Sequence, residues 1–283
     1  RVYGNSNGFL AGYPSSSHTV SCVLLAGDDD GMQRDYWYSA ARDPKDLEAV
    51  ELIGRKAGER AVARLSARRV ATQRAPVLFA PEVARGLFGH LVSAIRGSSQ
   101  YRKASFLLGA AGQRVLPAWL DIHERPHIPK ALGSSPFDGE GVATRDRELV
   151  RGGVLDGYVL GSYSARKLGL RTTGNAGGTH NLQVESRTEA LPLAQLLQRM
   201  QRGLLVTEMM GQGVNGVTGD YSRGAIGFWV AGGEIVHAVQ EVTIAGNLKN
   251  MLLGISALGS DVDNRGNIRS GSVLVDEMTI AGE

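Results

Sequence analysis

The chain is poor in cysteine, with Cys22 alone among its 283 residues. A single cysteine excludes an intrachain disulfide, and the simplest interpretation is a protein of a reducing compartment, the cytoplasm. We expect Cys22 to be a core thiol, because it lies in a β-rich run without a nearby histidine. The sequence also lacks a run of about 18 apolar residues, so no membrane partner is expected. It opens on Arg1-Val2-Tyr3 without an initiator methionine or a leader, which predicts a fragment whose natural N-terminal part is missing.

Charge of one sign is not in marked excess. The formal net charge is +3, and charged residues make up 21% of the chain. Such a mild balance does not by itself indicate nucleic-acid binding. The hydrophobic content of 42% fits a globular protein, whereas the 38 glycines indicate many turns and short strands. A chain of this length can bury a core without a metal or disulfide, and one large domain or two smaller ones are expected.

The N-terminal residues predict a hairpin and a helix. A β-rich run at 17–26, an Asp-rich turn at 27–31 and a returning run at 32–40 have the pattern of a hairpin. The turn lacks the ligand spacing of a calcium loop, so a solvated turn is expected. A helix is predicted to start after Asp43, a suitable N-cap, with Pro44 in its first turn.

This helix has an apolar face and a basic stripe. The apolar residues recur every four positions and predict a buried face: Ile53, Ala57, Ala61 and Leu65. The basic residues run parallel to them: Lys56, Arg60, Arg64 and Arg68. The stripe is either a phosphate-binding face or a solvated face whose cations suit the C-terminal end of the helix. We favour the solvated face, and nucleic acid is not an expected partner.

A boundary is predicted near residues 72–75, and short strands and helices follow it. The patterns predict a strand at 76–80, a helix at 81–95, an irregular segment at 116–141, a strand pair within 145–160 around Gly152-Gly153 or Asp156-Gly157, a helix at 191–200, a strand at 204–207, a hairpin at 224–245 and a helix at 248–258. Glu-Val-Thr-Ile-Ala-Gly at 241–246 recurs as Glu-Met-Thr-Ile-Ala-Gly at 277–282. Two such copies predict equivalent strand ends in one sheet or barrel.

The letters of residues 123–127, His-Glu-Arg-Pro-His, match the zinc-protease motif H-E-x-x-H. That motif requires a helix, on which histidines at i and i+4 share a face. Pro126 breaks such a helix and favours extended backbone at Arg125. We therefore expect no metal site here, and zinc bound by His123 and His127 is kept only as an alternative.

A polar glycine loop at 172–181 contains Asn175 and His180. The backbone N–H groups of such a loop can bind an anion or a peptide carbonyl. The same sequence also suits a tight connection with an asparagine in the left-handed conformation. Both interpretations stay open, and the loop is a candidate peptide-binding segment.

A second candidate peptide-binding loop contains Asn215, Asp220 and Arg223. Asp220 and Arg223 could bind a peptide terminus or pair with each other, and pairing or plain turn chemistry is favoured. No catalytic residue is assigned in the chain. Ser222 in particular lies outside the G-x-S-x-G pattern of a nucleophile elbow.

Four segments carry a resemblance to a known family. They are Gly-Ser-Ser-Pro-Phe-Asp-Gly-Glu-Gly-Val-Ala-Thr at 133–144, Gly-Asn-Ala-Gly-Gly at 174–178, the glycine-rich stretch 209–246, and the closing residues 271–274 and 278–282. Over nearly its whole length the chain resembles the TldD/PmbA family, proposed modulators of DNA gyrase that include a two-subunit zinc peptidase. The resemblance implies an α+β fold. Residues 1–72 would be the C-terminal part of an N-terminal or central α/β domain, and residues 73–283 a β-rich, barrel-like C-terminal domain with a few helices.

The resemblance also locates a degenerate metal motif. In the TldD branch, the helix after the first strand of the C-terminal domain carries H-E-x-x-x-H, whose histidines bind zinc and whose glutamate is the general base. A cysteine near the C-terminus adds a ligand. The corresponding positions here are Phe88, Gly89 and Ser93, His90 stands alone, and no cysteine follows Cys22. The loss of every ligand and of the base resembles the PmbA/TldE branch.

A PmbA/TldE-type subunit would be non-catalytic and would hold no cofactor of its own. The resemblance implies a TldD-type partner that holds zinc, in a heterodimer that degrades or matures unfolded peptides; a homodimer is the other assembly considered. Two alternative functions stay open. The chain could be a metallopeptidase active on its own, using His123 and His127, or a regulator that binds protein or nucleic acid, as the gyrase-modulator name suggests.

Overall fold

The computed structural model describes residues 1–27 and 31–282. The helices of these residues are α1 (Val50–Ala63), α2 (Pro81–Ile95), α3 (Gly97–Tyr101), α4 (Ser162–Leu168), α5 (Leu193–Met200) and α6 (Leu248–Leu253). The strands of the same part of the chain are β1 (Val2–Gly4), β2 (Leu10–Gly12), β3 (His18–Ala26), β4 (Gln33–Ala41), β5 (Gln73–Phe79), β6 (Leu120–Glu124), β7 (Arg147–Arg151), β8 (Val154–Leu155), β9 (Leu182–Ser186), β10 (Arg202–Met210), β11 (Asp220–Ala231), β12 (Glu234–Asn247), β13 (Ile255–Leu258), β14 (Ile268–Arg269) and β15 (Val273–Ala281). No helix in the described ranges combines the length and apolar character that a membrane crossing needs.

The N-terminal hairpin and helix form as the pattern predicts, with two corrections. β3 and β4 pair antiparallel in unbroken register, and α1 packs on them through three buried residues, Ile53, Ala57 and Ala61. The predicted turn between the strands includes residues 28–30, which lie outside the described residues. Cys22 is only half-buried, so the prediction of a core thiol is wrong. β3 is one strand of a two-stranded sheet, which leaves much of its length exposed.

The predicted helix start at Asp43 is also wrong. The Asp43 side chain accepts a hydrogen bond from the Lys45 backbone N–H at 3.0 Å, but it caps a 3₁₀ turn at Pro44–Asp46. The backbone of Leu47 is extended, which ends that turn, and α1 begins three residues later at Val50. Asp43 is therefore an N-cap, as predicted, but of the 3₁₀ turn and not of α1.

A five-stranded barrel forms the C-terminal core. β5, β10, β11, β12 and β15 close into a ring, because β12 pairs with β15 as well as with β11, and β13 adds to β15. The two copies of the recurring sequence lie on β12 and β15 and pair with each other, with Ile244 opposite Ile280. The prediction of equivalent strand ends in one barrel is thus confirmed. The predicted hairpin is β11 and β12, joined at Gly232 and Gly233, which both have positive φ.

α2 lies between this barrel and a second sheet. That sheet has five strands in the order β14-β9-β6-β7-β8. Phe88, Leu91 and Ile95 of α2 are fully buried in a core cluster that also holds Phe79 of the barrel and Ile122 of the second sheet. The helical spacing of apolar residues in 81–95 predicted this buried face correctly. The opposite face of α2 is left for other contacts.

Three other segments refine the sequence prediction. The stretch 116–141 was expected to be irregular, but it contains β6, whose Leu120 and Ile122 are buried. The strand pair within 145–160 is β7 and β8, which turn at Gly152-Gly153 rather than at Asp156-Gly157. The predicted helix 248–258 is wrong in its second half. It ends at Leu253, and β13 follows because these residues pair with β15.

The basic residues of α1 belong to a buried ion-pair network. Arg64, whose side chain is 3% exposed, lies 2.7 Å from Asp35 and 2.5 Å from Glu208. Arg60 lies 3.2 Å from Asp35 and 2.7 Å from Glu82. Since Glu82 is on α2 and Glu208 is on β10, the network ties α1 and β4 to the C-terminal part of the chain.

For Lys56, Arg60 and Arg64 neither interpretation of the basic stripe is correct, because carboxylates of the fold pair with them. Arg68 is exposed, as the solvated interpretation expects. Lys56 also has a carboxylate partner, Glu48 at 2.7 Å. The backbone N–H of Arg68 donates to the Ala238 carbonyl at 2.9 Å, which adds a backbone contact between the end of this segment and β12. Sequence periodicity shows that the cations share a side of the helix, but it does not show which acidic residues the fold brings to meet them. The positive charges of Lys56 and Arg60 are therefore matched within the fold rather than presented to a phosphate.

We predict that Asp35→Asn lowers the free energy of unfolding by about 3 kcal/mol, because the buried guanidinium of Arg64 loses a charged partner. The measurement is urea unfolding followed by circular dichroism. Glu277→Gln is the matched control: it breaks the exposed pair with Arg74, 2.9 Å apart, and should cost less than about 1 kcal/mol. Equal losses in the two variants would contradict a special role for the buried network.

Candidate functional site

The exposed face of α2 borders a cavity of about 600 Å³. Its walls are α2, the first residues of β11, and residues near the start of β14. Gly89 and Ser93, two positions of the degenerate metal motif, line this cavity. Phe88, the third position, is buried in the core on the other side of the helix. We call this space the α2 cavity.

The donor atoms around the α2 cavity do not fit a zinc ion. Zinc in proteins takes three or four ligands from cysteine, histidine, aspartate and glutamate. The cavity offers the imidazole of His90, while Gly89 has no side chain and the Ser93 hydroxyl donates to the Gly89 carbonyl at 2.9 Å. Within residues 1–27 and 31–282, no group of three or more histidine, cysteine, aspartate or glutamate side chains is arranged to bind a metal. The described donor atoms around the α2 cavity therefore do not make up a zinc ligand set.

Three arginines line the same cavity: Arg85, Arg96 and Arg223. Arg85 Nη1 lies 3.3 Å from the Tyr38 hydroxyl and 3.7 Å from Asp263 Oδ2. Arg223 donates from Nε to the Gly211 carbonyl at 3.0 Å. No acidic residue is among those that line the cavity. Its walls are accordingly rich in cationic hydrogen-bond donors.

His90 is a neutral group in this cationic wall. Burial lowers its pKa, and the nearby charge of Arg223 lowers the pKa further. Its ring packs edge-on against Tyr221, with centroids 5.9 Å apart. Burial also raises the pKa of Tyr221 to about 12, against a smaller opposite effect of Arg223. Near neutral pH both rings are uncharged, so the positive charge of the wall resides on the arginines.

The H-E-x-x-H letters do not form a zinc site. His123 and Glu124 end strand β6 and His127 lies in the loop beyond it, so the segment is extended as Pro126 predicted. His127 Nε2 is 3.0 Å from Thr144 Oγ1, and His123 faces Glu185 at 3.5 Å. The two histidines have separate structural partners, which opposes the alternative of zinc bound by His123 and His127.

Glu124 has a structural role that the sequence did not reveal. Its Oε2 accepts from Arg147 Nε at 2.7 Å, and its Oε1 accepts from Asn175 Nδ2 and from the His180 backbone N–H, both at 2.7 Å. The candidate loop 172–181 is therefore fastened inward on a buried carboxylate. Asn181, with φ of 44°, is the asparagine in the left-handed conformation. This is the geometry that the tight-connection interpretation expects, and both the Asn175 side chain and the His180 N–H are engaged by Glu124.

The residues of the second candidate loop lie in two places: Asn215 and Asp220 belong to a turn, and Arg223 lines the α2 cavity. Asn215 Oδ1 accepts from the Val217 N–H at 2.9 Å, and Asp220 Oδ2 accepts from the Thr218 hydroxyl at 2.6 Å, which is turn chemistry. Pairing of Asp220 with Arg223 is not what forms, because Arg223 bonds Gly211 and lines the α2 cavity. Of the five residues predicted for peptide binding, Arg223 is the one that this cavity contains.

Sequence reasoning missed Arg85 and Arg96. A signal was present: Arg85, Gly89, Ser93 and Arg96 are spaced by four, four and three residues, the spacing of one helix face. Arg223 could not be added to them from sequence, because its neighbourhood depends on how β11 crosses α2.

The fold has counterparts in a described family. Residues 1–65 match the model of the PmbA/TldA metallopeptidase central domain, and residues 72–282 match that of the C-terminal domain. The chain belongs to the PmbA/TldA metallopeptidase family. It is 52% identical over 283 residues to the metalloprotease PmbA of Escherichia coli O157:H7, covering all of this chain and 62% of that protein. The chain thus spans about three fifths of the length of this relative.

Solved structures share the architecture. The crystal structure of a proposed modulator of DNA gyrase from Bacteroides thetaiotaomicron superposes with a TM-score of 0.92 at 30% identity, covering 98% of this chain and 63% of that chain. TldE from Thermococcus kodakarensis superposes with a TM-score of 0.85 at 23% identity, covering 98% and 65%. At that lower identity the likeness shows the fold alone. The predicted α+β, barrel-containing fold and the predicted family are confirmed.

We predict that His90 titrates below its ordinary value of 6.5, and that Arg223→Gln raises its pKa without restoring that value, because burial is the larger cause. The measurement is a pH titration of the His90 ring protons by NMR. Since the folded state binds the proton less readily than the unfolded state, His90 should also make the free energy of unfolding fall as pH drops below that value. Arg199→Gln, on the exposed face of α5, should leave the titration unchanged; a folded-state pKa at or above the ordinary value would overturn the assignment.

Proposed function

We propose that this chain belongs to a PmbA/TldE-type subunit of a two-subunit zinc metallopeptidase of the cytoplasm, and that the subunit is non-catalytic. The observation that carries the proposal is the α2 cavity. Phe88 is turned into the core, Gly89 has no side chain, and Ser93 bonds the helix backbone. Guanidinium groups, which donate hydrogen bonds and cannot bind a metal, occupy the walls instead.

The proposal divides the work between two chains. A TldD-type partner would hold the zinc, which polarises a peptide carbonyl and lowers the pKa of bound water. This chain would contribute walls of the peptide chamber and assembly contacts. Its charged and polar groups around α2 would orient the peptide, and none of them would take part in bond cleavage.

The edges of the barrel and of the second sheet favour side-chain contacts over strand addition for peptide binding; the two-stranded sheet of β3 and β4, with nine residues in each strand, is the exception. The barrel is closed by the β12–β15 pairing and has no edge there. The second sheet ends in β8 and β14, which have two residues each. An extended peptide that adds to a sheet edge gains affinity from a row of backbone hydrogen bonds. Strands this short provide few of them.

The hairpin β3–β4 is a candidate assembly surface. Val23 and Leu25 of β3 are 57% and 65% exposed. Exposed apolar side chains of this kind mark surfaces that an assembled protein covers. Whether that assembly is the proposed heterodimer or a homodimer is decided by the stoichiometry of the purified complex.

The two alternative functions have less support. A self-sufficient peptidase would need the histidines of residues 123–127, which face different partners. A nucleic-acid-binding regulator would need the basic stripe of α1, whose cations Lys56, Arg60 and Arg64 are matched by carboxylates. Neither alternative rests on a specific observation.

We predict that the full-length protein, purified alone, contains no stoichiometric zinc and hydrolyses no peptide, and that peptidase activity emerges with a TldD-type subunit. Elemental analysis and hydrolysis of an unfolded fluorogenic peptide measure the two properties. Stoichiometric zinc together with activity in the isolated protein would refute the proposal.

The matched control replaces both histidines of the H-E-x-x-H letters. The His123→Gln/His127→Gln variant should assemble and leave the activity of the complex unchanged, with circular dichroism reporting on its fold. If the double variant folds but abolishes activity, the catalytic residues would lie in this chain, and the proposal would be wrong.

A further inference from the structure

The α2 cavity carries positive charge that the described residues around it do not neutralise. Each guanidinium provides five N–H donors and no acceptor. Arg223 donates to the Gly211 carbonyl and also interacts with the Tyr221 hydroxyl, which leaves further N–H donors. The Arg96 guanidinium makes no hydrogen bond or ion pair with the residues that the structure describes, and its position on the surface leaves it accessible.

The nearest carboxylates are committed elsewhere. Asp263 is buried and bonded at 2.9 Å by both the backbone N–H and the Nε of Arg265, so that Arg85 reaches it only at 3.7 Å. Glu140 shares an adjoining cavity with Arg96. Its Oε2, however, accepts from the Ser162 N–H at 2.7 Å, and it makes no ion pair within 4.0 Å among the described residues. Arg96 and Arg223 therefore line the same cavity, and no carboxylate among the described residues forms an ion pair with either of them.

The cavity also has room and an apolar side. A β-carbon added at Gly86 would meet nothing within 4 Å, and one added at Gly89 would meet only the Ile268 side chain at 4.0 Å. These glycines leave the surface of α2 open between the arginines. Val92 and Ile268 add apolar surface to the lining. The space thus suits a ligand that joins an anionic group to a small apolar body.

We propose that the α2 cavity binds the C-terminal carboxylate of a peptide, with Arg96 and Arg223 as its ligands and Arg85 supporting the positive field. The planar fork of a guanidinium matches the two oxygens of a carboxylate. The last side chain of the peptide would lie against Val92 and Ile268. The peptide nature of the ligand rests on the proposed function, whereas the carboxylate itself is inferred from the arginines.

Isothermal titration calorimetry on the full-length protein without its partner tests the binding directly. The probes are an N-acetylated tripeptide that ends in leucine, the same peptide as a C-terminal amide, and inorganic phosphate. The acid should bind and the amide should not, because only the acid carries the charge. Equal binding of acid and amide, or binding of phosphate but not of the acid, would overturn the proposal.

Variants separate the site from general electrostatics. Arg96→Gln and Arg223→Gln should each weaken binding of the acid by between about tenfold and a hundredfold, the range for hydrogen bonds to a charged group. Arg223→Lys, which keeps the charge but loses the fork, should recover part of the loss. Arg199→Gln removes the same charge outside the cavity and should leave the affinity unchanged. If it weakens binding as much as the cavity variants do, the site is refuted.

The outcome is independent of whether the chain is a peptidase subunit. Failure of the acid to bind, with a complex that still hydrolyses peptides, would remove the carboxylate site and leave the proposed function. Carboxylate binding in a protein that never assembles with a zinc subunit would keep the carboxylate site and remove the proposed function.

Discussion

The position of α2 between two layers is the constraint on which the rest of the site depends. The barrel lies on one side and the second sheet on another, so the helix must bury Phe88, Leu91 and Ile95 in their shared core. Once that face is fixed, the 3.6-residue period of the helix determines which residues face outward. Arg85, Gly89 and Ser93 line the cavity for this reason, and their chemistry sets what the site can do.

The outward face decides between two kinds of site. A helix that carried histidines and a glutamate there would supply nitrogen and oxygen lone pairs to a cation. This helix supplies two glycines, a hydroxyl that bonds its own backbone, and flanking guanidinium groups. The burial of His90 beside Arg223 favours its neutral form, so the imidazole adds no further charge. The resulting field favours an anion, and the lone imidazole cannot hold a metal against it.

Sequence reasoning was reliable where one local pattern decides the structure. The apolar spacing of 81–95 located α2 and its buried face, and the repeated hexapeptide located two strands that pair in the barrel. It failed where the partner comes from a distant part of the chain. The cations of this segment were predicted to be solvated because no local pattern indicates that Asp35 and Glu208 pair with Arg64 in the fold. Likewise the local pattern at Glu124 gave no sign that Arg147 and the loop 172–181 make its carboxylate a structural anchor.

A cavity that has arginines instead of a metal motif differs in its reactivity more than in the sign of its charge. If related subunits hold zinc beside the corresponding helix, their cavity is positive and attracts the oxygens of a peptide. Arg96 and Arg223 keep a positive field in this chain, because guanidinium groups stay charged at every physiological pH. They cannot activate water as a metal ion does, since a guanidinium offers no open coordination position. If this chain is the proposed non-catalytic subunit, Arg96 and Arg223 would let it bind the carboxylate of a peptide while a zinc-bearing partner carries out the hydrolysis. Loss of the metal ligands would then not mean loss of the binding site.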